Sequence, residues 1–234
     1  MNELSHQARS KAGENGSARK RAKAMSRSDR RKQLLEVAGS IAARGGAGVL
    51  TMTELAEAAG VSKPVVYEHF SNGEDVAIAL LNEYFKAAVE AVDAAARDAG
   101  TLGEYLSLAV DAQFEFHKQG TFAPWVITNG FSSSERLNKA YRELREITLE
   151  TFQDLLIQQS VDKPTASAAG FVLAAMMNHT VFEFAPKRDN LQAKETLKIM
   201  LKGAVDALAP LQEARPQTPA KTMAVYRSLR DDGD

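Results

Sequence analysis

The chain has 234 residues, 44% of them hydrophobic, which is long and apolar enough for two packed units rather than one minimal core. It has no Cys, which excludes disulfides and thiolate metal sites, and its four histidines (His6, His69, His117 and His179) lack the spacing of a ligand set, so no metal or cofactor is expected. There is no apolar run of about eighteen residues and no signal-peptide core near the N-terminus, so neither a transmembrane helix nor export is expected, and the cytoplasm is the expected compartment.

The net charge of −1 hides an asymmetry. Residues 1–32 hold ten Lys or Arg against three Asp or Glu, a local +7, which leaves −8 on the remainder. Gly, Ser, Asn and Ala dominate residues 5–24, so residues 1–27 read as a disordered basic arm centred on Arg19, Lys20, Arg21 and Lys23. The first helix follows, capped near Ser28 and Asp29, with Leu34, Leu35, Val37, Ala38, Ile41 and Ala42 as its apolar face and Gly45 as its break.

Thr51 and Glu54 have the spacing of a capping box, which predicts a helix from Met52 with Leu55, Ala56 and Ala59 on one face. Gly60 can take the positive φ that ends it. Ser62 is placed to cap a second short helix whose first turn holds Lys63 and Pro64, where a missing amide costs nothing. Two short helices across so tight a turn make a helix-turn-helix, and the N-terminal turn of the second can enter a DNA major groove. Val61, Val66 and Phe70 have the spacing of a buried stripe, and Val65 can face either way. The candidate DNA contacts are Thr51, Ser62, Lys63, Pro64, Val65, Tyr67 and His69. Lys63 can donate to guanine, Pro64 and Val65 can meet thymine methyls, and Tyr67 and His69 suit phosphates. The basic arm then has two open roles, lying along phosphates or the minor groove, or solubilising the chain. Ser71 and Glu74 form another capping box, opening a long helix through Val76, Leu80, Leu81, Tyr84 and Phe85.

Arg31-x-x-Leu-Leu-x-Val-Ala38, the Gly45 break, Thr51-x-x-x-Leu-Ala56, Ala59-Gly-Val-Ser-Lys63 and Tyr67-x-His-Phe70 together resemble the TetR family of bacterial transcriptional regulators. The resemblance covers residues 28–85. It implies a homodimer with an N-terminal DNA head, a helical body that binds a small effector, and a repressor as the usual mode of action. Two departures stand out: Pro64-Val65 replaces the small polar pair of many members, and Gly73 stands where many carry a phosphate-clamping Lys.

Beyond Thr101 the pattern is helical throughout. Thr101 with Glu104 opens a helix toward Lys118, and Ser132 with Glu135 opens one through Leu137, Leu144, Phe152 and Leu156, with residues 120–130 as the break between them. Asp162 and Pro164 start a helix through Phe184, and Asp189 with Gln192 starts the last long one, through Leu208. Pro210, Pro216 and Pro219 predict a tail over 210–234 with at most one helical turn around Val225–Leu229. The expected fold is all-α: a three-helix helix-turn-helix head over 28–73, then a helical effector-binding and dimerisation bundle over 74–209. The last two long helices are the expected homodimer face.

The candidate ligand-binding residues are Phe114, His117, Phe122, Trp125, Val126, Asn129, Phe131, Phe152, Phe171, Met177, Asn178 and Phe182, mostly aromatic or soft apolar groups with a few polar ones to orient a lipophilic effector. His179 reads equally as a ligand contact or as a core or interface histidine. The rival to a regulator is a helical lipid- or partner-binding module that keeps the head as scaffold. An enzyme is not expected, since Ser132–Ser134 suit caps and no His–Asp pair accompanies them.

Overall fold

The computed structural model describes residues 25–45, 50–118, 134–209 and 215–231. Among these residues there are nine α-helices and no strands: α1 (Arg27–Gly45), α2 (Met52–Ala59), α3 (Lys63–Tyr67), α4 (Gly73–Ala96), α5 (Leu102–Lys118), α6 (Glu135–Gln158), α7 (Lys163–Phe184), α8 (Leu191–Leu208) and α9 (Ala220–Asp231). None of them is long and apolar enough to cross a membrane.

Local chemistry sets the helix starts, and in four places it selects a neighbour of the expected cap. Ser26, not Ser28 or Asp29, accepts the Asp29 amide at 3.0 Å and starts α1 two residues early. Asn72 accepts the Asp75 amide at 2.9 Å and Asp75 accepts the Ser71 amide at 3.2 Å, so the box opening α4 lies one residue beyond Ser71 and Glu74. Ser134 accepts the Leu137 amide at 3.0 Å and caps α6; Ser132 lies outside the described residues, as does the expected break over 120–130. Asn190, not Asp189, stands at the start of α8, and its side chain donates to the Ala185 carbonyl at the end of α7 instead of capping. The starts at Thr51, Thr101 and Asp162 stand as expected, with side-chain bonds to the amides of Glu54, Glu104 and Thr165.

The larger correction is α9. The segment read as a tail is a twelve-residue helix that packs on α4 and α6, burying Thr222 and Tyr226. Thr222, Val225, Tyr226 and Leu229 recur at helical spacing, so Pro219 ends the preceding extended stretch and immediately precedes this helix.

The body helices run along one another. α4 and α6 start together, because Arg136 bonds Glu74 at 2.8 Å and Asp75 at 3.0 Å and Ser134 donates to Glu74. They also end together: Arg215 reaches the Arg97 carbonyl and Asp98, while the Gln217 backbone exchanges two hydrogen bonds with the Gln158 side chain. α5 runs back against α4, α7 packs closely on α6, and α8 covers α5. Lys194 and Lys198 of α8 both bond Asp111 of α5, at 3.1 and 2.5 Å. Burial works to raise the Asp111 pKa, but the two lysines outweigh it and hold the carboxyl below its usual range.

Two cores result. One lies within the body, among Leu106, Val110, Phe114, Leu155, Leu173 and Leu201. The other joins Leu34, Leu55 and Val66 of the head to Val76, Leu80 and Leu81 of α4 and to Leu137 and Leu144 of α6. Each fully buried Leu contributes about 1.5–3 kcal/mol, so the second core roots the head firmly in α4 and α6.

Candidate DNA-reading head and ligand cavity

The head presents α3 on a rigid mount. Gly60 has φ +66°, and its amide serves the Ala56 and Glu57 carbonyls, which ends α2 and turns the chain in three residues. Val66 and Phe70 are buried and Val61 is half-buried against the head core, so the expected stripe is in place. α3 is only five residues long, and α1 supplies donors to the carbonyls just beyond its C-terminus. Arg27 donates to the Glu68 carbonyl at 3.2 Å and Arg31 to the His69 carbonyl at 3.1 Å. The Arg31 guanidinium also lies 4.4 Å from the centre of the Phe70 ring. Burial lowers the pKa of Arg31, the Glu83 charge opposes that, and Arg27 adds to it.

The opposite side of α3 is open. Ser62, Lys63, Pro64 and Tyr67 are exposed, Tyr67 at 54%, while Val65 and His69 are half-buried. Ser62 occupies the cap position, yet its hydroxyl makes no capping bond, which corrects the expected cap and leaves that hydroxyl facing outward. Thr51 does cap, so its hydroxyl already accepts the Glu54 amide. His69 has a lowered pKa, first from burial and then from the charges of Arg27 and Arg31.

A cavity of about 420 Å³ lies in the body. α4 gives it one long wall, from Leu81 to Val92, a span of about 16 Å at the helical rise. At the head end Tyr84 meets His117 at 2.5 Å beside Phe182; at the far end Tyr105, Thr151, Thr218 and Thr222 close it. Among the described residues that line it, Arg145 is the one formally charged side chain.

A family model described as "Bacterial regulatory proteins, tetR family" matches residues 34–80, which is the head just described plus the start of α4. The HTH-type transcriptional activator FasR of Mycolicibacterium smegmatis is 36% identical over 97 residues. The head carries the TetR-family signature. The FasR match spans 42% of this chain and 44% of the relative, less than half of each.

Solved structures extend the likeness to the fold of the body. A TetR-family transcriptional regulator from Streptomyces coelicolor is 18% identical with TM-score 0.67, covering 77% of this chain and 96% of that one. The transcriptional regulator FadR from Bacillus subtilis, solved in complex with stearoyl-CoA, is 18% identical with TM-score 0.58, covering 74% and 98%.

Of the expected ligand set, His117, Phe152, Phe171, Met177, Asn178 and Phe182 line the cavity, and His179 does too. Phe114 does not: it is buried in the body core. Phe122, Trp125, Val126, Asn129 and Phe131 lie outside the described residues, as does the basic arm before Met25. Sequence reasoning missed Tyr84, Tyr105, Gln113, Tyr141, Arg145 and the C-terminal threonines as lining groups. Tyr84 carried a signal, since it shares the apolar face of α4 with Leu81, Phe85 and Ala88.

Proposed function

We propose that this chain is a cytoplasmic, homodimeric, ligand-responsive regulator of transcription that represses by binding a palindromic operator and does no catalysis. The supporting observation is the double duty of α4. Its first turns, through Val76, Ala77, Leu80 and Leu81, belong to the core beneath the reading helix, and the same helix walls the cavity as far as Val92. A ligand that displaces α4 tilts the head, and in a dimer that moves two reading helices away from the spacing of about 34–36 Å that adjacent major grooves require. Coupling of about 1–3 kcal/mol weakens operator binding roughly 5- to 150-fold.

Lys63 is the donor to guanine, Pro64 and Val65 meet thymine methyls, and Thr51, Ser62, Tyr67 and His69 hold phosphates or fix register. With one strong donor, this surface depends on DNA shape and half-site spacing for much of its selectivity. The apolar lining and the Arg145 cation suit a lipophilic effector with an anionic head. The B. subtilis FadR complex makes a long-chain acyl-CoA the first compound to try.

The experiment is an electrophoretic shift on an operator selected from random-sequence duplex DNA by the full chain, repeated with stearoyl-CoA. Expected are binding that weakens with stearoyl-CoA and a loss of affinity in Lys63→Ala. If Lys63→Ala and Tyr67→Phe both leave affinity untouched, this surface does not read DNA.

A further inference from the structure

The C-terminal segment 215–231 touches both the cavity and the head-side core. Thr218 and Thr222 form part of the far wall of the cavity. Thr218 gives its proton to Asp93 at 3.1 Å, so it accepts from the Tyr105 hydroxyl at 3.0 Å. Thr151 gives its proton to the Ile147 carbonyl at 2.7 Å, so the Thr222 hydroxyl donates to Thr151 at 2.5 Å. With their protons committed, these hydroxyls offer the cavity only lone pairs and methyls, and the Asp93 carboxylate stands behind them. Such an end admits hydrocarbon or a neutral group and disfavours an anion. Arg145 stands six residues before Thr151 on α6, about 9 Å nearer the head.

The same segment then runs toward the head. Val225 and Leu229 pack against the core that contains Leu34, Leu55, Val66 and Val76. Lys221 pairs with Glu150, and the bonds of Arg215 and Gln217 fasten its start to the ends of α4 and α6.

We propose that residues 215–231 are a working part of the effector site: Thr218 and Thr222 set how far the hydrocarbon end of a ligand can enter, and α9 carries the occupied state to the head beside α4. This rests on the cavity being the effector site, and it adds both a wall that limits ligand length and a second strut.

The test uses the full chain and anilinonaphthalene sulfonate, an apolar dye with an anionic group, so that its first two arms do not depend on the effector being an acyl-CoA. Thr222→Phe is expected to weaken dye binding about tenfold or more, with Thr222→Ser within about threefold of wild type, folding being checked by circular dichroism. Dye is also expected to slow amide hydrogen exchange across residues 220–229 of the wild type. Dye that fails to bind, equal affinities in all three proteins, or exchange in α9 indifferent to bound dye overturns the proposal; if Thr222→Phe does not fold, the wild-type exchange measurement decides.

For the strut, Val225→Ala with Leu229→Ala should keep dye affinity within about threefold yet cut the operator response to stearoyl-CoA about fivefold or more. An unchanged response removes the strut. A wild type that ignores stearoyl-CoA while binding the dye sinks the acyl-CoA reading above and leaves the wall to the dye and exchange results.

Discussion

Tyr84 donates its phenolic proton to Nε2 of His117 across 2.5 Å, joining the connecting helix α4 to α5 at the head end of the cavity. The direction follows from the other ring nitrogen. Nδ1 lies 2.7 Å from the Gln113 carbonyl, which can only accept, so Nδ1 carries the hydrogen. Burial holds the His117 pKa below its usual value, against the opposing pull of the Gln113 bond, so Nε2 is bare near neutral pH. Tyr84 stays a phenol, its pKa raised well above the ordinary tyrosine range by burial and, secondarily, by Tyr141.

Burial of His117 gives stability a pH dependence of definite sign. A histidine whose folded pKa lies below its unfolded value of about 6.5 leaves the unfolded chain holding more protons between the two values. The stabilisation is therefore complete above about pH 6.5 and is lost as pH falls toward the folded pKa. His69 is shifted the same way and adds to the slope. The melting temperature should fall between about pH 7.5 and 5.5, and His117→Gln should remove part of that fall, with His69→Gln removing a further part. A slope unchanged in His117→Gln would show that the ring has the same pKa in the folded and unfolded chain. Tyr84→Phe leaves Nε2 buried without its donor, which costs about 1–3 kcal/mol, read as a lower denaturation midpoint.

The two helix starts of the head should respond unequally to loss of a hydroxyl. Thr51 bonds the Glu54 amide at 3.1 Å, whereas Ser62 at the head of α3 bonds no amide. Thr51→Ala should lower stability by about 1 kcal/mol, and Ser62→Ala should fall within about 0.5 kcal/mol of wild type. If Ser62 instead serves the DNA backbone, its substitution weakens operator binding without moving the melting temperature. Equal stability losses in the two variants would mean that Ser62 caps after all.

Much of the helical syntax was legible because caps are local. Thr51, Thr101 and Asp162 each had one suitable amide in reach and kept it. Errors came where two or more cap-forming residues stand side by side or nearly so, as at Ser26 and Ser28, Ser71 and Asn72, and Asp189 and Asn190, because spacing alone does not choose between them. Glu74 is taken by Arg136 and Ser134, sixty residues away, and Asp75 does the capping work expected of it. α9 was hidden by its prolines, since Thr222 and Tyr226 become apolar-face residues only once α4 and α6 form a groove beneath them. The cavity was half legible for a similar reason. Phe114 and Phe152 look alike in sequence and share the body core, and only the packing of α4 to α7 brings the second to the cavity lining as well.

Two glycines should fail for different reasons. A Cβ on Gly60 meets nothing within 4 Å, so Gly60→Ala costs only the left-handed backbone, about 1–2 kcal/mol. A Cβ on Gly170 would lie 2.9 Å from the backbone nitrogen of Gln153, which a side-chain rotation cannot relieve. Gly170→Ala must push α7 away from α6, at about 1–3 kcal/mol, and it should also disturb ligand binding, because Phe171 lines the cavity. Chemical denaturation measures both costs, and dye binding separates them: Gly60→Ala should leave the cavity unaltered. A Gly170→Ala protein as stable as wild type would mean the two helices are not packed this closely.

The faces of α7 and α8 that look away from the body core carry apolar side chains at the surface. Val172 is 53% exposed, Met200 54% and Ile199 72%, with Leu191 also uncovered. Burying one such side chain contributes about 1.5–3 kcal/mol, so a two-fold copy laid across this face gains from each side chain twice. The small residues Ala168 and Ala175 flank Val172 on α7 and let a partner helix approach. Val172→Glu with Met200→Glu places four carboxylates in that contact, so light scattering should report a monomer where wild type gives a dimer. Because both positions are exposed within one chain, circular dichroism should remain that of a folded helical protein. Operator affinity should then collapse toward single-head binding, since the two reading helices are no longer held at a fixed separation. A double variant that stays dimeric places the interface elsewhere and leaves the apolar face without a covering partner.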